Sequence, residues 1–261
     1  MVFFSLTCFL FSYLFSLIRK ERKMFNKYFV SKPKAGGGIK KYESKDIVKN
    51  PIRNTLAPKT PSRILLCGPS GCGKTNFLLN LIYDLLPWCR FYVHAKDLNE
   101  EKYVHLQEAC EKVKSLDNDF EYVFDNENIV SVDDLDGSEH NLIVFDDFVT
   151  DKPNFDKISE LFIRGRKKNE TLIFLTQSYF DTPKIIRLQC NYFCFWKLND
   201  DRERSEIWKN HNFGLKKNEF VQIFEEATRE PFSFLFFDTI HKNSSYQIRK
   251  NLNQPIDILL A

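Results

Sequence analysis

The sequence has few of the features that would hold a chain together through covalent bonds or metals. Its seven cysteines are scattered and form no CxxC pair, and Cys190 and Cys194 have no histidine close by in sequence. Zinc-finger spacing is absent as well. We therefore predict reduced thiols in a protein core rather than disulfides or a zinc site. This usage favours a cytoplasmic or nuclear compartment.

Charge is missing from residues 1–18, and acidic charge is scarce in the segment that follows. Residues 19–59 hold 13 basic and three acidic residues, whereas residues 60–261 hold 25 basic and 32 acidic residues. A basic arm of this kind suits nucleic acid or another acidic partner, and a solvated linker is the alternative. The run AGGG at 35–38 indicates flexible chain within the arm.

The uncharged start allows three interpretations. It is marginal in length for a transmembrane helix, and a membrane anchor would leave the globule cytoplasmic because a basic cluster follows it. A signal peptide is disfavoured because no basic segment precedes the apolar run. The third interpretation is a non-native extension, with Met24 as the start of a soluble protein.

These observations predict four segments. Residues 1–23 are an apolar segment with a basic flank, and residues 24–59 are a basic flexible arm. Residues 60–240 form one globular domain, and residues 241–261 are a C-terminal tail with a possible edge strand. The chain is long enough for one sizeable domain with appendages.

One motif is typical of a phosphate site. Residues 68–75, GPSGCGKT, match G-x-x-x-x-G-K-[ST] and lie between an apolar run and a helical apolar pattern. Glycines let the backbone close around an anion, and the following helix adds its positive end. We expect Lys74 to reach the β- and γ-phosphates of ATP and Thr75 to bind Mg²⁺. The predicted ATP-binding residues are Gly68, Pro69, Ser70, Gly71, Cys72, Gly73, Lys74 and Thr75.

Polar residues end two later apolar runs. Asp146 and Asp147 follow the run 141–145, and Gln177 follows the run 171–176. Open α/β sheets bind ligands at the carboxyl ends of their strands. We therefore expect Asp146 to hold Mg²⁺, Asp147 to polarise the attacking water, and Gln177 to hold that water against the γ-phosphate. A capped turn and an ordinary loop glutamine are the alternative explanations.

The order of these motifs predicts the fold. Apolar runs alternate with helical patterns, which indicates an α/β protein with a central parallel sheet and helices on both faces. A further strand after the acidic pair implies a strand inserted between the two motif strands. This is the arrangement of RecA-like (ASCE) P-loop NTPases rather than nucleotide kinases or small GTPases. We also predict helices over 155–168 and 201–228, and a β pair formed by 232–237 and 246–249.

Three arginines are candidates for catalysis. Arg164 and Arg166 follow the apolar stretch 161–163, and Arg187 follows the short stretch 184–186. An arginine from a neighbouring subunit can stabilise the charge that develops in phosphoryl transfer. The alternative for each is a solvated basic helix end, which the helix dipole favours.

These motifs give the chain a resemblance to a known family. The loop GPSGCGKT, the strand IVFDD and the block LFIRGRKKNETLIFLTQSYFDTPKIIRLQCNYF resemble the DNA-packaging ATPases of poxvirus type. That family belongs to the FtsK–HerA superfamily and also occurs in Polinton/Maverick-like elements and giant viruses. The resemblance covers about residues 45 to 240, and residues 164–193 are its most specific part.

The resemblance implies an ATPase that uses ATP and Mg²⁺ and forms a ring of identical subunits. Such a ring moves double-stranded DNA of any sequence, a viral or transposon genome, into a capsid, so capsid proteins are implied partners. It implies a cytoplasmic or nuclear location, at a virus assembly site or in the virion. A membrane is a partner only if residues 1–18 are native. The superfamily more often has Glu where this chain has Asp147, which is one methylene shorter.

Two rival functions lack support, and a third stays open. A transporter-type ATPase would carry an LSGGQ-like signature, but residues 133–137 read DDLDG. A nucleotide kinase would leave the adjacent acids unexplained. The open alternative is a structural or membrane-tethered nucleotide-binding protein without DNA-stimulated hydrolysis. The apolar start and Asp147 are compatible with it.

Overall fold

The computed structural model describes residues 56–86, 88–116, 118–148 and 152–256. Within these ranges the chain divides into a small unit, residues 99–122, and a large unit, residues 56–98 and 123–256. The predicted segment 1–23 and most of the predicted arm 24–59 lie outside the described residues. No helix in the described ranges has both the length and the apolar character needed to cross a membrane.

The elements follow the predicted alternation. The strands are β1 (Arg63–Cys67), β2 (Arg90–Ala95), β3 (Glu121–Phe124), β4 (Asn141–Asp146), β5 (Glu170–Thr176), β6 (Tyr192–Phe195), β7 (Leu235–Asp238), β8 (Ile248–Lys250) and β9 (Gln254–Pro255). The helices are α1 (Lys74–Asn80), α2 (Glu101–Leu116), α3 (Phe155–Arg164), α4 (Lys184–Gln189), α5 (Asp201–Asn210) and α6 (Lys217–Ala227). A π-helical turn, Leu81–Leu85, continues α1.

The large unit is built around one mixed β-sheet. Its strand order is β3-β2-β4-β5-β1-β6-β7-β8-β9, and the residues of β3 are divided between the two units. The five strands β2, β4, β5, β1 and β6 are parallel, and β7, β8 and β9 continue the sheet antiparallel. Strand β5 lies between β1 and β4, which confirms the predicted inserted strand.

Both faces of the central strands are buried. On one face Phe145, Phe174 and Phe195 belong to an apolar cluster that includes residues of α3, α4, α5 and α6. On the other face Phe77 of α1 packs against Phe234, with ring centroids 4.6 Å apart and the ring planes tilted by 52°. A strand that is buried on both sides reads as an unbroken apolar run, and this is why the runs in the sequence located the central strands.

The small unit contains α2 and the first half of β3. Tyr103, Leu106 and Cys110 are buried on α2 at spacings of three and four residues, whereas Glu101, Glu108 and Glu111 are exposed. The helix is therefore amphipathic.

Two predicted helices differ from the structure. The helix predicted over 155–168 ends at Arg164 and continues as a 3₁₀ turn, Gly165–Lys168. The helix predicted over 201–228 is two helices, α5 and α6. The chain turns between them because Gly214 has a φ of 83° and its amide donates to Asn212 Oδ1 at 2.9 Å. The predicted β pair is present, since β7 and β8 are antiparallel neighbours.

Candidate nucleotide-binding and catalytic site

The phosphate loop joins β1 to α1 and needs its glycines for steric reasons. Gly71 and Gly73 have φ values of 73° and 107°, in the left-handed region that glycine adopts without strain. Gly68 has no room for a side chain, since a Cβ there would lie 2.7 Å from Cβ of Trp196. At these glycines no side chain blocks the approach of an anion to the backbone amides of the loop.

Lys74 and Thr75 open helix α1. The Lys74 ammonium donates to the carbonyl oxygens of Gly68 at 2.6 Å and Pro69 at 3.0 Å, so it lies over the loop. The Thr75 hydroxyl makes no hydrogen bond with any residue that the structure describes. A lysine that lies over the loop and a hydroxyl one residue later are the groups that phosphate and metal binding use in this motif.

The acidic pair and the glutamine reach the same edge of the sheet as the loop. Cys67 of β1 is opposite Thr176 of β5, and Asp146 of β4 is opposite Leu175. Beyond these pairs, the Gly68 amide donates to the Thr176 carbonyl at 3.1 Å. Gln177 therefore follows a strand that lies between the strand of the phosphate loop and the strand of the two acids.

The two acids differ in conformation and exposure. Asp146 is half-buried and its carbonyl oxygen accepts from the Lys96 amide at 3.2 Å. Asp147 is exposed, with a φ of 61° and an amide that donates to the Leu175 carbonyl at 3.3 Å. Aspartate tolerates this left-handed conformation better than most residues. Neither the Asp147 carboxylate nor the Gln177 amide has a hydrogen-bond partner among the described side chains.

The oxygen atoms available here fit a magnesium ion. Mg²⁺ prefers hard oxygen ligands and binds through one or two carboxylates together with substrate phosphates and water. The Thr75 hydroxyl, on α1 directly after the loop, and the Asp146 carboxylate, at the carboxyl end of β4 with β5 between β4 and β1, are oxygen ligands of this kind. The described residues contain no cluster of three or more His, Cys, Asp or Glu that would form a metal site from protein ligands alone.

The three candidate arginines lie away from this edge. Each one precedes a parallel strand, so it is near the amino end of β5 or β6, whereas the phosphate loop is at the carboxyl end. Arg164 pairs with Glu160 and with Asp133, the latter at 3.1 Å. The sequence-predicted loop, acids and glutamine come together, and the arginines do not join them within one chain.

Arg187 and Arg166 differ in availability. The Arg187 side chain is 14% exposed, pairs with Glu206 at 3.4 Å and lies 4.8 Å from the centre of the Tyr179 ring. Arg166 is exposed in the 3₁₀ turn after α3, and no described residue pairs with it. Arg166 is therefore free to contact another molecule, and Arg187 is already engaged within the chain.

One residue that the sequence did not reveal is Glu203, in the first turn of α5. Its carboxylate accepts from the hydroxyl of Ser178, from the amide of Tyr179 at 2.9 Å and from the amide of Phe180 at 3.1 Å. It therefore fixes the loop that begins with Gln177. Acidic residues are common in the first turn of a helix because they interact favourably with the helix dipole. The sequence therefore gives no sign that Glu203 contacts residues about 25 positions earlier.

A family model described as "Poxvirus A32 protein" matches residues 50–249. The chain is 28% identical over 154 residues to "DNA packaging protein OPG160" of Monkeypox virus, a match that covers 54% of this chain and 49% of that protein. The same protein of Vaccinia virus (strain Copenhagen) is also 28% identical over 154 residues, covering 54% of this chain and 55% of that protein. The chain thus spans about half the length of the curated relatives it matches.

A solved structure supports the fold. The crystal structure of B204, the DNA-packaging ATPase from Sulfolobus Turreted Icosahedral Virus, superposes with a TM-score of 0.51 and 15% identity. The match covers 75% of this chain and 98% of B204. The predicted α/β fold of a P-loop NTPase is therefore confirmed.

Proposed function

Because the chain belongs to the poxvirus A32 protein family, we propose that it is a DNA-packaging ATPase that couples ATP hydrolysis to movement of double-stranded DNA. The observation that carries the proposal is the meeting of the phosphate loop, the acidic pair and Gln177 at one edge of the sheet. A structural nucleotide-binding protein would need the loop alone. Acids and a polar residue at the ends of β4 and β5 are the additional groups that hydrolysis requires.

The site residues divide the chemistry among them. The loop 68–75 binds the phosphates of ATP, with Lys74 neutralising the β- and γ-phosphates. Thr75 and Asp146 would hold Mg²⁺, which when bound neutralises charge on the phosphate oxygens. Asp147 accepts a proton from the attacking water, and Gln177 orients that water by donating and accepting a hydrogen bond.

The DNA partner follows from the relatives, which are named as DNA packaging proteins. A packaging enzyme handles a whole genome, so it must hold phosphates without reading bases. The basic arm, residues 24–59, and the basic flank that precedes it have the charge for this contact. Capsid proteins are the other proposed partners, and the proposed location is a viral assembly site in the cytoplasm or nucleus, or the virion.

A ring of identical subunits completes the proposal. Arg164, Arg166 and Arg187 lie away from the catalytic edge of their own chain, so none of them completes the site in cis. An arginine provided by the next subunit would supply the missing positive charge. Among the three we propose Arg166, because it is exposed and no residue of the described chain pairs with it.

The test is steady-state ATP hydrolysis by the full chain, with and without double-stranded DNA of unrelated sequences. We expect DNA of any sequence to raise the rate several-fold, and we expect Lys74→Ala to abolish hydrolysis by removing the charge at the β- and γ-phosphates. Lys157→Ala, an exposed lysine on α3, is the matched control and should behave as wild type.

The alternative, a structural or membrane-tethered nucleotide-binding protein, predicts another result. It would bind ATP at the same loop, but DNA would not change its hydrolysis rate, even at protein concentrations that form rings. That outcome would refute the translocase and retain the nucleotide site.

A further inference from the structure

Phe232 is an exposed aromatic residue beside the phosphate loop. Its side chain is 71% exposed, and a Cβ placed on Gly73 would lie 3.4 Å from its ring atom Cδ1. Single exposed apolar residues are common, so exposure alone would carry no weight. Its backbone and its position in the fold distinguish it.

The backbone of Phe232 is held in an unfavourable conformation. Its φ is 65°, in the left-handed region that residues with a bulky side chain rarely adopt. Trp196 keeps it there, because the indole Nε1 donates to the Phe232 carbonyl at 3.1 Å. Trp196 itself is 1% exposed and packs on Phe234 with ring centroids 4.8 Å apart. The ring is thus presented by an anchored segment, and conformations of this kind concentrate at functional sites.

The sheet topology places Phe232 on the side of the loop away from the catalytic groups. Strand β7 is antiparallel to β6, with Leu235 opposite Phe195, so the segment before β7 lies at the carboxyl end of β6. Strand β1 lies between β6 and β5. The phosphate loop therefore has Gln177 on one side and Phe232 on the other.

We propose that the ring of Phe232 stacks on the base of the bound nucleotide. The inference rests on the proposed function, in which the γ-phosphate faces Asp147 and Gln177. A nucleotide held in that direction extends its ribose and base toward the other side of the loop. A planar aromatic ring fixed there offers a stacking surface to any base, because every base has a π-face. The site therefore selects for a nucleobase and discriminates weakly between adenine and guanine.

Calorimetric binding of ATP, GTP and inorganic tripolyphosphate to the full chain tests this inference. Loss of one base–aromatic stack weakens binding by roughly 5- to 150-fold. Phe232→Ala should therefore weaken ATP and GTP binding by about fivefold or more and leave tripolyphosphate binding unchanged. Phe232→Tyr should keep wild-type affinity. Ile240→Ala, a 45% exposed residue beyond the far end of β7, is the control and should bind all three as wild type.

Each outcome decides a different question. If the wild-type chain binds neither ATP nor tripolyphosphate, the nucleotide site is absent and the proposed function falls together with this inference. If ATP binds and Phe232→Ala leaves its affinity unchanged, the stacking inference is overturned while the proposed function stands. An equal loss of affinity for ATP and for tripolyphosphate would show that Phe232 maintains the shape of the phosphate loop. That result would also overturn the stacking inference.

Discussion

Glu170, at the start of β5, is a carboxyl group buried without a hydrogen bond. It is 2% exposed, and neither of its oxygen atoms has a partner in the part of the chain that the structure describes. Burial raises the pKa of Glu170 to about 8, and the nearby Arg63 opposes this rise only in part. The side chain lies where a Cβ on Gly165 would be, within 1.3 Å of that position, so Gly165 is required beneath it.

A pH-dependent stability follows from this carboxyl. Between about pH 4.5 and pH 8, the unfolded chain ionises Glu170 while the folded chain keeps it protonated, so folding loses stability as the pH rises. The slope is at most about 1.4 kcal/mol per pH unit. We expect Glu170→Gln, which cannot ionise, to raise Tm relative to wild type by more at pH 8 than at pH 5.

Thermal melting of both proteins at the two pH values measures this difference. His211, whose pKa burial and Arg187 lower to about 4, destabilises both proteins equally as the pH falls below about 6.5 and so cancels. Glu139→Gln, at an exposed position, should show no pH-dependent gain. A constant difference between Glu170→Gln and wild type across this range would refute a raised pKa at Glu170.

At the scale of elements, α5 holds the loop that follows β5. Glu203 supplies the acceptor for the Ser178 hydroxyl and for two consecutive backbone amides, so it holds the loop that begins with Gln177. Removal of all three contacts frees the loop while the phosphate loop on β1 stays intact. The effect should therefore appear in the chemical step rather than in binding.

We expect Glu203→Ala to lower kcat by about tenfold or more, since small displacements of positioning groups have effects of this size. The dissociation constant for ATP should stay within about twofold of wild type. Glu203→Gln keeps a carbonyl acceptor, so its kcat should lie between those of wild type and Glu203→Ala. Lys209→Ala, an exposed residue on the same helix, serves as the control. Equal losses in ATP affinity and in kcat would instead indicate general unfolding around the site.

The elements that the sequence predicted well are those with a local cause. Apolar runs located β1, β4 and β5 because these strands are buried on both faces, and the fixed spacing of the glycines and Lys74 located the loop. The order of the motifs then gave the inserted strand. These features depend on residues that are neighbours in sequence.

The features that escaped prediction depend on contacts between distant residues. The sequence places Phe232 in a predicted strand, but β7 begins only at Leu235, and Phe232 lies before it beside Gly73, about 160 positions earlier in the chain. Glu203 and Trp196 likewise gain their roles from partners on other elements. The break between α5 and α6 had a local signal, the glycine at 214, but the apolar spacing on both sides of it masked the turn.

At the scale of the whole molecule, the proposed ring divides each active site between two subunits. Asp147→Asn removes the base from a subunit and keeps its arginine, whereas Arg166→Ala removes the arginine and keeps the base. Each variant alone should be nearly inactive. In an equal mixture about a quarter of the interfaces combine an intact base with an intact arginine, so activity should return to about a quarter of wild type.

The same mixture made with Arg187→Ala is the comparison. Arg187 is paired with Glu206 inside its own chain, so we expect that variant to lose stability and to show no such complementation. ATPase assays of the mixtures, with DNA present, provide the measurement. Complementation by Arg187→Ala and none by Arg166→Ala would reverse the assignment and identify Arg187 as the residue that acts across the interface.

The left-handed turn at Asp147 has a consequence for which residues this position can hold. The turn comes directly after Asp146, the proposed metal-binding position at the end of β4, with a φ of 61° that short polar side chains accommodate and longer ones resist. A glutamate would extend farther toward the γ-phosphate but would strain this turn. The two requirements conflict at a single position, so on this backbone the conformation favours aspartate at the expense of reach.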